Sequence, residues 1–152
     1  MAVPYKEASV INERLLRSWI RCRRKAWLDL HGDKKKRLWS AHKTLELDHQ
    51  HKSLVSLLSQ SNCRSIGNCQ EGASFVIGLK LQDKSPLGHY LKVNPPVLQK
   101  IQGHSKWGDF AYRPIITKQG NKLSREHLLV IALTSLLLEK IQGSPVNEAI
   151  AI

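Results

Sequence analysis

The hydrophobic pattern of this chain shortens its period near Gly72, and that change limits what it can fold into more than any single motif does. Before it, apolar residues recur at helical spacing. Leu16, Trp19, Ile20, Trp27 and Leu30 follow the 3.6-residue repeat of an amphipathic helix over Asn12 to Leu30, with Arg14, Arg17, Arg21, Arg24 and Lys25 on its other faces. Asn12 is placed to cap this helix and Gly32 to end it. A second helical stretch runs from about Leu38 to Gln60. Leu38, Ala41 and Leu45 share one of its faces, whereas Leu47, Leu54 and Leu58 fall nearly opposite. That pattern predicts a break near Glu46 to His49. Ser61 to Gly72, rich in Ser, Asn and Gly, reads as a loop.

After Gly72, Ser74 to Leu81, Tyr90 to Val93, Val97 to Ile101 and Phe110 to Thr117 read as short strands separated by Gly, Pro or Asn turns. Ser124 then caps a helix ending at Gly143, apolar almost all round from Leu128 to Leu138 and so expected to be buried. Val146 to Ile152 reads as a last strand. The order ααβββ(β)αβ predicts an α/β (α+β) fold, a small mixed sheet flanked by helices. At 152 residues and 41% hydrophobic content, residues 1–152 suffice for a single domain around one core.

The longest apolar run, Leu128 to Leu138, has 11 residues, short of the roughly 20 that span a bilayer. Met1 to Val10 lacks the apolar run of a secretory signal. Three cysteines, Cys22, Cys63 and Cys69, are odd in number and sparse for a disulfide framework. A cytoplasmic protein with no membrane partner is expected.

Charge is the strongest compositional signal, with 24 Lys+Arg against 12 Asp+Glu and a formal charge of +12. Ten of those cations lie between Arg14 and Arg37 against only Asp29 and Asp33, so two thirds of the surplus sits in one sixth of the chain. Arg14, Arg17, Arg21, Arg24 and Lys25, followed by Lys34, Lys35, Lys36 and Arg37, are candidate nucleic-acid-binding residues. Cations in such a run neutralise phosphates in a sequence-blind, salt-sensitive way. The alternative for the same run is a solvated helix surface and a charged loop.

Common catalytic templates are absent: there is no Gly-rich phosphate loop, no Gly-x-Ser-x-Gly elbow and no His-Glu-x-x-His pair. Cys63 and Cys69 are too far apart for the two-to-four-residue gap of a zinc knuckle, and no second ligand pair stands nearby. His49 and His51 would point about 200° apart on a helix and cannot share a metal. His51 instead shares a face with Leu47, Leu54 and Leu58, the pattern of a packed side chain. No metal site is expected from these groups. The stretch Gly103 to Lys118 is more informative. A strand ending in x-Lys, with a carboxylate upstream and a helix following, is the layout of metal-dependent nucleases, in which two acids hold Mg²⁺ and the lysine positions the attacking water. Asp109 and Lys118 are present, but the position two before Lys118 is Ile116.

These features resemble the N-terminal nuclease portion of the RecB-like putative nucleases, within the PD-(D/E)xK superfamily. Leu15 to Gly32 is similar to that family's first helix, Leu45 to His51 to the helix carrying its motif histidine, and Trp107 to Lys118 to the segment ending in Asp-x-Lys. Leu137-Leu138 and Ile141 to Gly143 match the end of the next helix. The resemblance implies a restriction-endonuclease-like core and puts His51 at the motif histidine and Lys118 at the motif lysine. It also exposes departures. The first metal-binding acid aligns with Pro96, the second with Ile116, and the Gln-x-x-x-Tyr pair of the following helix with Val130 and Thr134.

Mg²⁺ needs oxygen ligands, and these two apolar substitutions remove both anionic ones. The resemblance therefore implies a shortened, degenerate relative, without the second, RNase H-like domain usual in the family, that binds nucleic acid, with DNA favoured over RNA, and has no resident cofactor. The runner-up is an active Mg²⁺- or Mn²⁺-dependent nuclease using His51, Asp109 and Lys118 in a rearranged site. A third reading is a scaffold whose helix at 128–138 is covered by a protein partner or a second copy of the chain.

Overall fold

The computed structural model describes residues 9–38, 41–60, 66–118 and 120–152. After a short strand, β1 (Val10–Asn12), the Asn12 side chain accepts from the Leu15 backbone N–H at 3.0 Å and starts α1 (Glu13–Arg21). The single helix expected here is two. Cys22 adopts extended backbone angles (φ −161°, ψ 117°) and α2 (Arg23–His31) begins afresh. The buried Ser18 hydroxyl donates to Asp29 Oδ2, and Lys25 Nζ reaches both Ser18 Oγ (3.1 Å) and Asp29 Oδ2 (3.2 Å), which folds α2 back against α1. That bend moves the apolar stripe: Leu16 reaches the core, while Trp19, Trp27, Leu28 and Leu30 remain exposed.

The next helix, α3 (Ala41–Gln60), runs unbroken. The break expected at Glu46 to His49 does not occur, because no Gly or Pro interrupts the segment and Lys43 bridges Glu46 at 3.0 Å one turn on. What changes there is the surroundings. Leu54, Leu57 and Leu58 pack on the sheet, whereas Leu45 and Leu47 are exposed.

Eight strands form two mixed sheets, giving with the four helices an α+β fold among the described residues. The five-stranded sheet has the order β2-β3-β6-β7-β8: β2 (Ile66–Gly67), β3 (Phe75–Ile77), β6 (Val97–Ser105), β7 (Gly108–Ile116) and β8 (Ile150–Ala151). The three-stranded sheet sets β1 beside β5 (Tyr90–Val93) and β5 beside β4 (Leu81–Lys84). The single strand expected over Ser74 to Leu81 is split by Gly78, whose φ of +73° suits glycine and sends the chain from one sheet to the other. Val97 to Ile101 and Phe110 to Thr117 lengthen into a hairpin that turns at Lys106-Trp107, with a register shift between Gln102 and Ser105.

Alternation along the strands builds two cores. Phe75, Val97 and Ile115 face Leu54, Leu57 and Leu58 of α3. Val76, Leu98 and Tyr112 face the other way, onto Leu133, Leu137 and Leu138 of α4 (Arg125–Gln142). Ser124 and His127 form a capping box at the start of α4, and Gly143 (φ +71°) ends it in the left-handed region. The helix is not buried all round. Val130, Leu133, Thr134, Leu137, Leu138 and Gln142 are buried, but Leu128 and Leu136 are exposed. Between β7 and β8, which run parallel, α4 makes the crossover.

Beyond the ladder shared by β7 and β8, Gln142 takes the place of a strand. Its Oε1 accepts from the Tyr112 backbone N–H (3.1 Å) and its Nε2 donates to the Ser144 carbonyl (3.1 Å), both from a fully buried position. Cys69 lies in the core, where burial pushes its thiol pKa up. Cys63, paired with it in the zinc-knuckle question above, lies outside the described residues.

Candidate functional site

β7 ends at buried Ile116, with buried Thr117 just after it, and both line one cleft with Val93 to Pro96, the segment that leads into β6. Ile116 points to the α4 side of the sheet, as Tyr112 does, since residues two apart share a face. There it meets Val130 and Thr134. Over this floor lie Arg14, Arg17 and Arg21 of α1, Lys25 of α2, and His42, Lys43, Glu46 and Gln50 from the N-terminal half of α3. Together they enclose a cleft of about 510 Å³. Pro96, Ile116, Val130 and Thr134 are the four positions that the nuclease resemblance aligns with the two metal acids and the Gln-x-x-x-Tyr pair, and all four line this one cleft.

The walls are cationic, and most of the cations are held in place. Arg21 grips Glu126 through Nε to Oε1 and through Nη2 to Oε2 at 2.9 Å. Lys25 bonds Asp29, and Arg14 stands 3.7 Å from the same carboxylate. Burial alone would raise the Asp29 pKa, but the Ser18 and Lys25 hydrogen bonds and the charges of Lys25 and Arg14 bring it below the ordinary value. Glu46 behaves alike: the burial penalty is overcome by the Lys43 hydrogen bond and by the charges of Lys43, Arg17 and Arg21. Arg17 is different. Its Nε is buried and has no hydrogen-bond partner among the described residues. A buried, unpaired donor on a guanidinium costs roughly 1–3 kcal/mol or more. His127 lies within the field of Arg17. Burial first, then the charge of Arg17, lowers its pKa and favours the neutral ring.

Pro96 and Ile116 supply no side-chain oxygen. Of the carboxylates present, Glu13 accepts from the Asn94 N–H at 2.7 Å and Glu46 is paired with Lys43. Among the described residues no group of three or more His, Cys, Asp or Glu side chains is placed to hold an ion. At Pro96 and Ile116, where the resemblance implies the metal's acids, the side chains present do not fit Mg²⁺ or Mn²⁺.

The three catalytic candidates do not converge. Asp109 is at the hairpin tip, exposed and 2.9 Å from His104, at the opposite end of β7 from Ile116. Seven residues of strand separate the two by roughly 23 Å. Lys118 donates from Nζ to the Gly120 carbonyl (2.8 Å) and does not line the cleft. His51 is exposed on α3, neither packed as its apolar neighbours suggested nor in the cleft; the histidine of α3 that lines the cleft is His42. The polar line His42, Glu46 and Gln50, at spacing i, i+4, i+8, is the signal in the sequence that could have located it.

The nine basic residues also divide. Arg14, Arg17, Arg21 and Lys25 line the cleft, whereas Arg24 and the 3-10 turn Lys34 to Lys36 are exposed outside it, and Arg37 donates to the Asp29 carbonyl. A scan against protein-family models and a search of curated proteins return no match to this chain. No helix among the described residues is long and apolar enough to cross a membrane.

Proposed function

We propose that this chain is a non-catalytic relative of the RecB-like nucleases that binds nucleic acid, DNA in preference to RNA, through the cleft between α1, α3, α4 and the end of β7. One observation carries the reading. The positions where the resemblance implies metal-binding acids and their helix partners meet in one cleft. There the acids are replaced by Pro96 and Ile116, and the cleft is lined by Arg17, whose buried Nε has no hydrogen-bond partner among the described residues. A site of this composition holds a phosphate by charge and hydrogen bonds rather than through a metal. The succession of an α-helix, the antiparallel strands β3, β6 and β7, a crossover helix and the parallel strand β8 supports the same kinship.

The tests are direct. Fluorescence anisotropy at low salt should show binding to labelled single- and double-stranded DNA, weakening linearly on a log–log salt plot. No anisotropy change up to protein concentrations of about 100 µM, the weak end of non-specific binding, would remove the nucleic-acid half of the proposal. Incubation of labelled DNA with Mn²⁺, beside a Lys118→Ala control, examines the non-catalytic half. Cleavage by the wild type that disappears in the variant would overturn it.

A further inference from the structure

Trp19, Arg23, Trp27 and His31 stand four residues apart, and the bend at Cys22 turns that spacing into a surface ladder. On α2, Arg23, Trp27 and His31 share one face. The rings of Trp27 and His31 meet at 5.0 Å between centroids with a 43° tilt. Across the bend, the Arg23 guanidinium carbon lies 5.8 Å from the centre of the Trp19 ring. Both indoles are open to solvent, Trp19 by 53% and Trp27 by 59%. Lys25, which lines the cleft, points roughly 160–200° away from Arg23 and Trp27 around α2 at 100° per residue. None of the four ladder residues lines the cleft. The helical pair thus carries two separate surfaces, one cationic and lining the cleft, the other aromatic and outside it.

We infer that the Trp19 to His31 ladder is a stacking platform for the unpaired bases of single-stranded nucleic acid. The inference rests on the nucleic-acid reading above and adds strandedness to it. Bases in a duplex stack on one another and offer no free faces, whereas bases of a single strand do, and an exposed indole accepts any of them. Arg23, between the two indoles, and the exposed cations Arg24 and Lys34 to Lys36 nearby in sequence supply the positive charge that a strand's phosphates require.

The experiment measures anisotropy of labelled oligo-dT and of a duplex of equal length with the full chain and with Trp19→Ala, Trp27→Ala and Trp27→Phe. Both tryptophans are exposed, so the variants should keep the wild-type thermal transition. Each alanine variant should bind the single strand about 5- to 150-fold more weakly, the range expected for one lost base–aromatic stack. Duplex affinity and the single-strand salt slope should stay unchanged, because no charge is removed, and Trp27→Phe should retain most of the single-strand affinity. Wild-type binding that both alanine variants reproduce would overturn the platform and leave the cleft reading standing. Equal losses for both DNA forms would overturn it too, as would self-association in light scattering that Trp27→Ala abolishes without altering DNA binding. Wild-type protein that binds neither DNA form would remove the nucleic-acid reading and this inference with it.

Discussion

Arg21 and Glu126, 105 residues apart in the chain, form a two-point clasp that fixes the first helix against the last: Nε bonds Oε1 while Nη2 bonds Oε2. The clasp sets the width of the cleft, because Arg21 is on one wall and α4 carries Val130 and Thr134 on the floor. Planar guanidinium and carboxylate match in two bonds at once, which a lysine cannot do. In a double-mutant cycle with Arg21→Ala and Glu126→Ala, the coupling should be about 0.5–1 kcal/mol, near the upper end for a partly exposed pair, and should shrink at high salt. Urea midpoints of the four proteins at two salt concentrations give the answer. A coupling of zero would mean that the clasp does not hold α1.

The Asp29 carboxylate, which joins α1 to α2, gives a pH signature. Its pKa is lower in the folded chain than when unfolded. The stability it contributes is therefore present above the unfolded value of about 3.9 and is lost as pH falls through the folded value. Wild-type stability should decline on acidification below about pH 5, and Asp29→Asn should flatten that decline while costing about 1–3 kcal/mol at neutral pH. Denaturant midpoints from neutral to acid pH would show both effects. Parallel curves for the two proteins would exclude Asp29 as their source.

Gln142 and Tyr112 test the buried polar frame. Gln142→Leu removes the acceptor for the Tyr112 N–H and the donor to the Ser144 carbonyl while keeping an apolar side chain of similar size. One buried group and one part-buried group lose their partners, so a loss of about 2–4 kcal/mol is expected. Tyr112→Phe removes only the hydroxyl bond to the Ala73 carbonyl (2.8 Å) and should cost about 1–2 kcal/mol. Burial pushes that phenol up to about 12, so the bond should persist through ordinary alkaline conditions. Thermal unfolding should rank the two variants in this order.

Arg17 should dominate binding at the cleft. If the cleft binds nucleic acid as proposed, Arg17→Ala should remove one phosphate contact and reduce the magnitude of the log–log salt slope by about 0.9. Replacing Lys34, Lys35 and Lys36 together by Ala should shift affinity without changing which variants of the cleft matter. Salt titrations of the two variants side by side would separate the cleft from the outlying basic turn.

Local rules made much of the framework legible. Asn12, Ser124 and Gly143 act at the helix ends where their side chains or backbone freedom suit them, and Tyr90–Val93 is the strand its alternation predicts. The short strands β1 and β2 are not legible in the sequence, because two or three residues carry no readable period. Helix breaks were misjudged in both directions. At Cys22 a tertiary clamp, Ser18 with Asp29, bends a segment that has a continuous period, and at Glu46 to His49 a change of neighbours looks in the sequence like a change of direction.

By itself, the sequence determined the broad succession of helices, strands, a helix and a last strand and the concentration of positive charge in one segment, because capping, alternation and charge are properties of near neighbours. Only the tertiary structure decided which of those charges share a surface. Pro96, Ile116, Val130 and Thr134 are brought to one cleft by sheet register and the α4 crossover, and Asp109 is held some seven strand residues away from it. The same bend at Cys22 that turns Arg17 and Lys25 inward leaves Trp19 and Trp27 in solvent. Helical spacing fixes the angle between side chains on one helix, but the direction in which that helix packs is set by contacts far away in the chain.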